Sequence, residues 1–220
     1  MSFRKSLGAI VSLIVLAALL AACGGAAEPT TAPAAPAATP EPAATPEPTA
    51  TPDPLADWIT FTAPDGSFTV QLPEEPATQS QTVPTEAGDI EVAMYLVEGD
   101  DWMLMLSQNS FPASIADLVA TGDEAFIQGL LDNGRDGAVG NVSGTLQNEK
   151  QITVDGFPGR EFTFIVDSSA SPTGDAITGI ARVILVKDML YQMITLSTAD
   201  EADPALAQAF FDTFHLTVAQ

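Results

Sequence analysis

Residues 58–73, WITFTAPDGSFTVQLP, decide the fold of this 220-residue chain. Two short β-prone runs, residues 58–61 and 67–72, stand on either side of Pro64-Asp65-Gly66. An Asp-Gly pair between two such runs is a strong signal for a tight turn that joins antiparallel strands. The stretch therefore predicts a β-hairpin at the start of a globular domain.

The same strand and turn signals recur along the chain. Three more strand pairs are predicted: residues 90–97 with 102–106, 146–154 with 160–166, and 177–186 with 189–196. Polar turns separate the two members of each pair, and the clearest of these turns is Asp155-Gly156. In the pair formed by residues 146–154 and 160–166, Phe162, Phe164 and Val166 occupy alternate positions, so we expect them on one face of a sheet.

Helical spacing appears in two parts of the chain. Ile115, Leu118 and Val119 fit one face of a helix, and Asp123-Glu124 opens a second apolar run that we expect to stop at Asn133-Gly134. Gly134, Gly137 and Gly140 then predict a loop. Near the end, Asp203-Pro204 combines a capping acid with proline in the first turn, which predicts a helix through residue 214. Leu216 and Val218 could continue as a short edge strand. These elements predict an α+β domain with a central antiparallel sheet flanked by helices.

The first 22 residues have the layout of a secretory signal. Arg4 and Lys5 precede an apolar run of 16 residues, Leu7 to Ala22, which is shorter than the ~20 residues of a membrane-spanning helix. Leu20-Ala21-Ala22-Cys23 resembles the bacterial lipobox, in which the cysteine sulfur receives a diacylglycerol. We therefore predict a lipoprotein signal peptide at 1–22 and lipidation of Cys23, the only cysteine of the chain. A chance cysteine in an ordinary signal is the alternative.

Residues 23–56 are predicted to be the lipidated cysteine and a linker. They are rich in Ala, Thr and Pro and repeat ATPEP, ATPEP and ATPDP with a period of six. This composition lacks the apolar side chains that could bury a core, and its prolines favour extended polyproline conformations. In the predicted arrangement the lipid anchors the chain to a cell membrane, and the globular domain, residues 57–220, lies on the extracytoplasmic face of that membrane.

Charge excludes one class of partner. Residues 57–220 carry 25 of the 29 acidic residues and only five of the seven basic ones. Such a domain repels phosphate backbones, so we expect no binding to nucleic acid.

The motifs of the globular domain resemble those of PsbP-like domains. They are Trp58-x-x-Phe61, Pro64-Asp65-Gly66-x-Phe68-x-Val70-x-Leu72-Pro73, Gly159-Arg160-Glu161, Tyr191 and Phe210-x-x-Thr213-Phe214. The resemblance implies an α/β/α sandwich with a central antiparallel sheet. It also implies a non-catalytic binding or assembly factor, since that superfamily works mainly in this way. No binding residue of the family can be transferred to a position of this chain.

Residue types argue against several chemistries. His215 is the only histidine and is expected on an exposed strand position, and no free cysteine remains for a typical zinc site. Acidic pairs such as Glu74-Glu75 and Asp100-Asp101 suit turns and helix caps. Calcium ligands could come from residues 98–101 or 132–136, but neither segment has the spacing of a known calcium loop. We predict no enzyme, no metal and no cofactor.

The expected function is binding of a protein partner or small ligand at the cell envelope. Tyr95, Trp102, Met103 and Met105 are the candidate lining of an apolar pocket between sheet and helix, with Met94 beside them. Two alternatives stay open at this point. One is a hydrolase of envelope glycans that uses two carboxyl groups across a cleft, and the other is a cation-dependent structural module.

Overall fold

The computed structural model describes residues 55–171, 174–198 and 203–217. The predictions for the signal peptide, Cys23, most of the linker and Val218 lie outside the described residues. The strands are β1 Ile59–Thr62, β2 Phe68–Leu72, β3 Ala77–Thr85, β4 Gly88–Glu98, β5 Trp102–Ser110, β6 Thr145–Val154, β7 Phe157–Val166, β8 Ile177–Val186, β9 Met189–Thr198 and β10 His215–Leu216. The helices are α1 Ala113–Ala120, α2 Glu124–Gly140 and α3 Pro204–Asp212.

Two antiparallel sheets organise these strands. The large sheet has the order β3-β4-β5-β9-β8-β7-β6, and the small sheet has the order β1-β2-β10. The four strand pairs predicted from the sequence all form. At the Asp155-Gly156 turn both residues have positive φ, 51° and 85°, which is the conformation that two-residue hairpins favour.

The central strands of the large sheet are buried on both faces, most completely β8 and β9. On one face, here called the helix face, α2 covers Phe162, Phe164, Ala181 and Val183. On the opposite face, here called the hairpin face, the small sheet and α3 cover the sheet. The molecule is therefore an α+β fold dominated by antiparallel sheet, as predicted. Helices alone do not flank it, because a three-stranded sheet forms much of one layer.

The opening hairpin supplies the centre of the hairpin-face core. Phe68 is fully buried, and its ring lies 5.4–5.8 Å from the rings of Tyr95, Tyr191 and Phe214. Phe61 packs at 5.0 Å from Tyr95. Burial of such aromatic side chains contributes most of the stabilisation of a small core. The stretch that decides the fold does so because its alternate residues meet strands from the middle and the end of the chain.

Helix α2 corrects one prediction. It begins as expected, with the Asp123 carboxylate accepting hydrogen bonds from the backbone N–H groups of Ala125 and Phe126. It continues past Asn133-Gly134 to Gly140, so the predicted stop and loop are wrong. A Cβ on Gly134 would lie 2.9 Å from Leu190 Cδ2, which shows that this glycine permits close packing on the sheet.

Strand β3 was not predicted. Its sequence, ATQSQTVPT, contains few apolar residues and a proline, and all nine residues are exposed. It forms because it pairs with β4 without interruption. Helix α3 begins as predicted, with the Asp203 carboxylate accepting hydrogen bonds from the N–H groups of Ala205 and Leu206, but it ends at Asp212 and not at residue 214. Strand β10 forms at Leu216, as predicted. Across the described ranges, none of the helices has the length and apolarity to cross a bilayer.

Candidate functional site

The structure does not bring the four predicted pocket residues together. Tyr95 and Trp102 belong to the hairpin-face core, whereas Met105 packs on the helix face. Met103 shares the face of Met105 because side chains alternate along β5. A single pocket lined by all four is therefore wrong. Tyr95 is a buried core residue, and the Trp102 indole covers Gly99 so closely that a Cβ there would overlap the ring.

An apolar cleft lies elsewhere, on the helix face at one end of the large sheet. Its volume is about 330 Å³, which is at the lower end of the range for small-ligand sites. The lining comes from α1, the start of α2, the start of β7, the end of β8 and the β8–β9 turn: Ala116, Val119, Ala120, Ile127, Phe157, Pro158, Leu185, Lys187 and Asp188. We call this feature the α1 cleft.

Helix α1 forms the outer wall of the cleft because of its small residues. Ala116 and Ala120 are one turn apart and face the same side as Val119, so no long side chain fills the space under the helix. No α1 residue is fully buried, and Pro112 at its N-cap makes no side-chain capping bond. Helix α1 is therefore attached more weakly than α2, and Leu118 on it is 47% exposed.

Two consecutive charged residues of the β8–β9 turn, Lys187 and Asp188, form the rim of the cleft. Lys187 adopts positive φ, 56°, and both Lys187 and Asp188 are exposed. The Asp188 carbonyl accepts a hydrogen bond from the backbone N–H of Phe111, which fixes the turn against the segment that leads into α1. The cleft therefore combines an apolar floor, where Leu185 is 2% exposed, with a polar edge.

Charged side chains join α2 to the sheet edge in a second cluster on the helix face. Arg160 Nη2 lies 2.7 Å from Asp132 and donates to Gln128 at 2.8 Å. Arg135 Nη1 lies 2.8 Å from Glu149. The Arg160 Nε is 3.2 Å from a Glu149 oxygen but outside hydrogen-bond geometry. These ion pairs connect α2 to β6 and β7. Asp132, one of the residues considered for calcium, is therefore paired with arginine.

A third cluster lies on the hairpin face. Glu161 accepts from Lys150 at 2.6 Å and from Arg182 at 2.7 Å, and the Arg182 guanidinium stacks 4.9 Å above Phe211. Burial raises the pKa of Glu161, but the hydrogen bonds from Lys150 and Arg182 outweigh it, and the pKa lies below its ordinary value. A carboxyl group held ionised in this way is not a general acid.

Asp65 holds the first hairpin turn against the sheet. Its carboxylate accepts from Gln108 at 2.6 Å and from the Ser67 backbone N–H at 3.0 Å. Burial raises the pKa of Asp65, but the hydrogen bonds from Gln108 and Ser67 together lower it by more, so the pKa lies below its ordinary value. Burial raises the pKa of Tyr191 despite a hydrogen bond with Ser67, and the Asp65 charge adds to that rise. This cluster positions the turn.

The remaining sequence candidates do not converge. His215 is exposed, as expected. Glu74, Glu75, Asp100 and Asp101 are exposed. Within residues 55–171, 174–198 and 203–217, no three His, Cys, Asp or Glu side chains are grouped so that they could hold a metal ion.

Comparisons with known proteins give a likeness in structure only. No family model matches the chain, and no curated protein matches it. The chain is similar to the solution structure of cyanobacterial PsbP (CyanoP) from Synechocystis, with 13% identity and a TM-score of 0.44 over 77% of this chain and 99% of that chain. It is also similar to a protein of unknown function from Pseudomonas aeruginosa, with 10% identity and a TM-score of 0.34 over 75% and 98% of the two chains. A third structure, from Bacteroides thetaiotaomicron, has 11% identity and a TM-score of 0.40 over 72% and 48%.

Proposed function

We propose that this chain is a PsbP-like lipoprotein that binds a ligand or partner at the outer face of a cell membrane without catalysing a reaction. Cys23 carries the lipid, residues 24–56 form the spacer, and the domain from residue 57 binds. The α1 cleft receives an apolar group, either a small molecule or a side chain of a partner protein, and the domain thereby acts as an accessory factor of an envelope complex.

The observation that carries this proposal is the chemistry of the α1 cleft. Ala116, Val119, Ile127 and Leu185 present hydrocarbon to an opening at the surface of a strongly acidic domain. An apolar opening on a polar surface is typical of a binding site, since exposed hydrocarbon is otherwise unfavourable. The weak attachment of α1 supports entry of a ligand, because the wall can shift without disturbing the sheet.

The carboxylates support binding over acid–base hydrolysis. Hydrolysis of a glycosidic bond needs two facing carboxyl groups, one of them with a raised pKa. Asp188 is the one carboxylate among the cleft residues. Asp65 and Glu161 have lowered pKa values and hold a turn and an ion-pair cluster on the hairpin face.

The cleft is tested with indole as a neutral apolar probe. The full chain in lipid nanodiscs is incubated with indole, and hydrogen exchange is followed by mass spectrometry. We expect protection in residues 113–127 and 185–188, since a ligand slows exchange where it restrains the backbone. The Ala116→Leu variant fills the space under α1 and should lose this protection.

The matched control is Ala113→Leu. Ala113 is the first residue of α1, is exposed and does not line the cleft. It should respond to indole like the unmodified chain. Equal protection in Ala116→Leu and Ala113→Leu, or protection in other segments only, would contradict the proposed site.

A further inference from the structure

Among the strands of the described residues, β3 has a neighbour on one side only, so it forms an edge of the large sheet. Ala77–Thr85 pairs with β4 on one side and stands first in the strand order. All nine residues are exposed. An edge strand presents alternate backbone N–H and C=O groups that can pair with another extended chain.

The opposite edge of the same sheet is protected, and β3 is not. Strand β6 has a register shift between Leu146 and Asn148, and it carries Glu149 and Lys150 in ion pairs. Bulges and charges are the usual devices that prevent a further strand from pairing. Residues 77–83 contain no charged side chain, their register with β4 is unbroken, and Pro84 comes only near the end of the strand.

The surroundings of β3 carry charge of one sign. Residues 74–101 include eight acidic residues and no lysine or arginine. Glu74 and Glu75 precede β3, Glu86 follows it, and Glu91 on β4 accepts a hydrogen bond from Thr82 at 3.0 Å. The five basic residues of the domain lie on α2, β6, β7, β8 and the β8–β9 turn. The strand order therefore places them in the half of the large sheet away from β3.

We propose that β3 binds an extended basic segment of a partner protein, which adds an eighth strand to the large sheet. The backbone of β3 supplies the pairing groups, and the carboxylates at both ends select lysine or arginine on either side of a β-prone run. A second copy of this chain is a poor occupant, because each copy carries a net charge of −22. The inference concerns a surface separate from the α1 cleft and does not depend on ligand binding there.

The probe is the synthetic peptide Lys-Lys-Thr-Val-Thr-Val-Thr-Val-Lys-Lys with a fluorescent label. Its binding to the full chain in nanodiscs is measured by anisotropy at low salt, and hydrogen exchange locates the site. We expect protection within residues 77–85. The same peptide with N-methyl groups on alternate residues keeps its charge but cannot pair along one edge, so it should bind at least about tenfold more weakly.

A protein variant tests the edge directly. The double substitution Gln79→Lys and Gln81→Lys places like charge on β3, and both side chains are exposed, so the fold is retained. It should weaken binding at least about tenfold. The matched control, Thr145→Lys with Gln147→Lys on the β6 edge, should weaken it far less. Equal binding of the two peptides, equal effects of the two variants, or protection outside residues 77–85 would each overturn the proposal.

Discussion

Among single residues, Arg182 makes contacts that link three elements. It pairs with Glu161 on β7, lies 3.8 Å from Asp212 of α3 and stacks on Phe211. We predict that Arg182→Met lowers the free energy of unfolding by about 2–3 kcal/mol, because it leaves a largely buried carboxylate with Lys150 alone. Urea unfolding measures this change.

A double substitution separates the contribution of the Glu161–Arg182 ion pair to stability from the contribution of side-chain packing. Replacing both partners, Glu161→Leu with Arg182→Met, should recover more than half of the loss, since no buried charge then remains without its partner. A double variant that is less stable than Arg182→Met would show that the pair contributes through its specific geometry.

The lowered pKa of Glu161 gives the stability a pH dependence. Its folded-state pKa lies below the ordinary value of 4.5, so the unfolded chain binds the proton first as pH falls. The stabilisation is therefore complete above about pH 5 and is lost as pH falls through 4.5 toward the folded-state pKa. Glu161→Gln removes this titration. The difference in unfolding free energy between the two chains should be constant from pH 7 to 5 and shrink below; a constant difference to pH 3 would contradict the assignment.

Residue-scale prediction from the sequence succeeds where alternation decides the outcome. Phe162, Phe164 and Val166 share one buried face, as expected. The prediction fails for Tyr95, Trp102, Met103 and Met105. When odd- and even-numbered positions of a strand are both apolar, both faces of the sheet are buried, so these side chains do not line one shared pocket.

For the strands β7 and β8, one glycine controls the packing of a whole strand pair. Gly179 is the cross-strand partner of Phe164, and a Cβ at Gly179 would overlap the Phe164 ring, which is fully buried. We predict that Gly179→Ala costs about 1–3 kcal/mol of unfolding free energy through overpacking. The double variant Gly179→Ala with Phe164→Leu should lose less unfolding free energy than the two single variants lose together, because the smaller side chain at position 164 relieves the overlap. Strict additivity would refute the proposed contact.

Elements were predictable from the sequence where turns and caps carry specific chemistry. Asp65-Gly66, Asp155-Gly156 and Asp203-Pro204 mark their turns and cap correctly because few other conformations suit those residues. Strand β3 was missed because an exposed, polar edge strand has no apolar alternation. The length of α2 was underestimated because Gly134 is used for packing on Leu190.

On the scale of the whole molecule, the site was the least predictable part. The α1 cleft joins segments near residues 116–127, 157–158 and 185–188. Its shape depends on how α1 lies against the β8–β9 turn, which no local pattern encodes. The acidic composition follows directly from the sequence. The strand order is needed to show that the basic residues lie together on one side of the large sheet, away from β3.

The anchoring of the whole molecule is tested at its single thiol. Cys23→Ala should prevent incorporation of labelled acyl chains and move the protein out of the membrane fraction, because the proposed anchor depends on that sulfur. The labelled fatty acid and the membrane fraction of intact cells are the two measurements. Cys23→Ala protein that stays in the membrane fraction would refute the anchor, and Ser12→Ala in the preceding run serves as a control that should behave like the unmodified chain.

The closing of the hairpin-face core sets an order of events during biogenesis. Phe210, Phe211 and Phe214 are fully or nearly fully buried against Trp58, Phe68 and other early residues, and β10 pairs directly with β2. A ribosome makes these late segments after nearly everything that they cover. The hairpin-face core therefore cannot close until residues 210–216 have been synthesised, and until then Phe68 lacks the contact with Phe214.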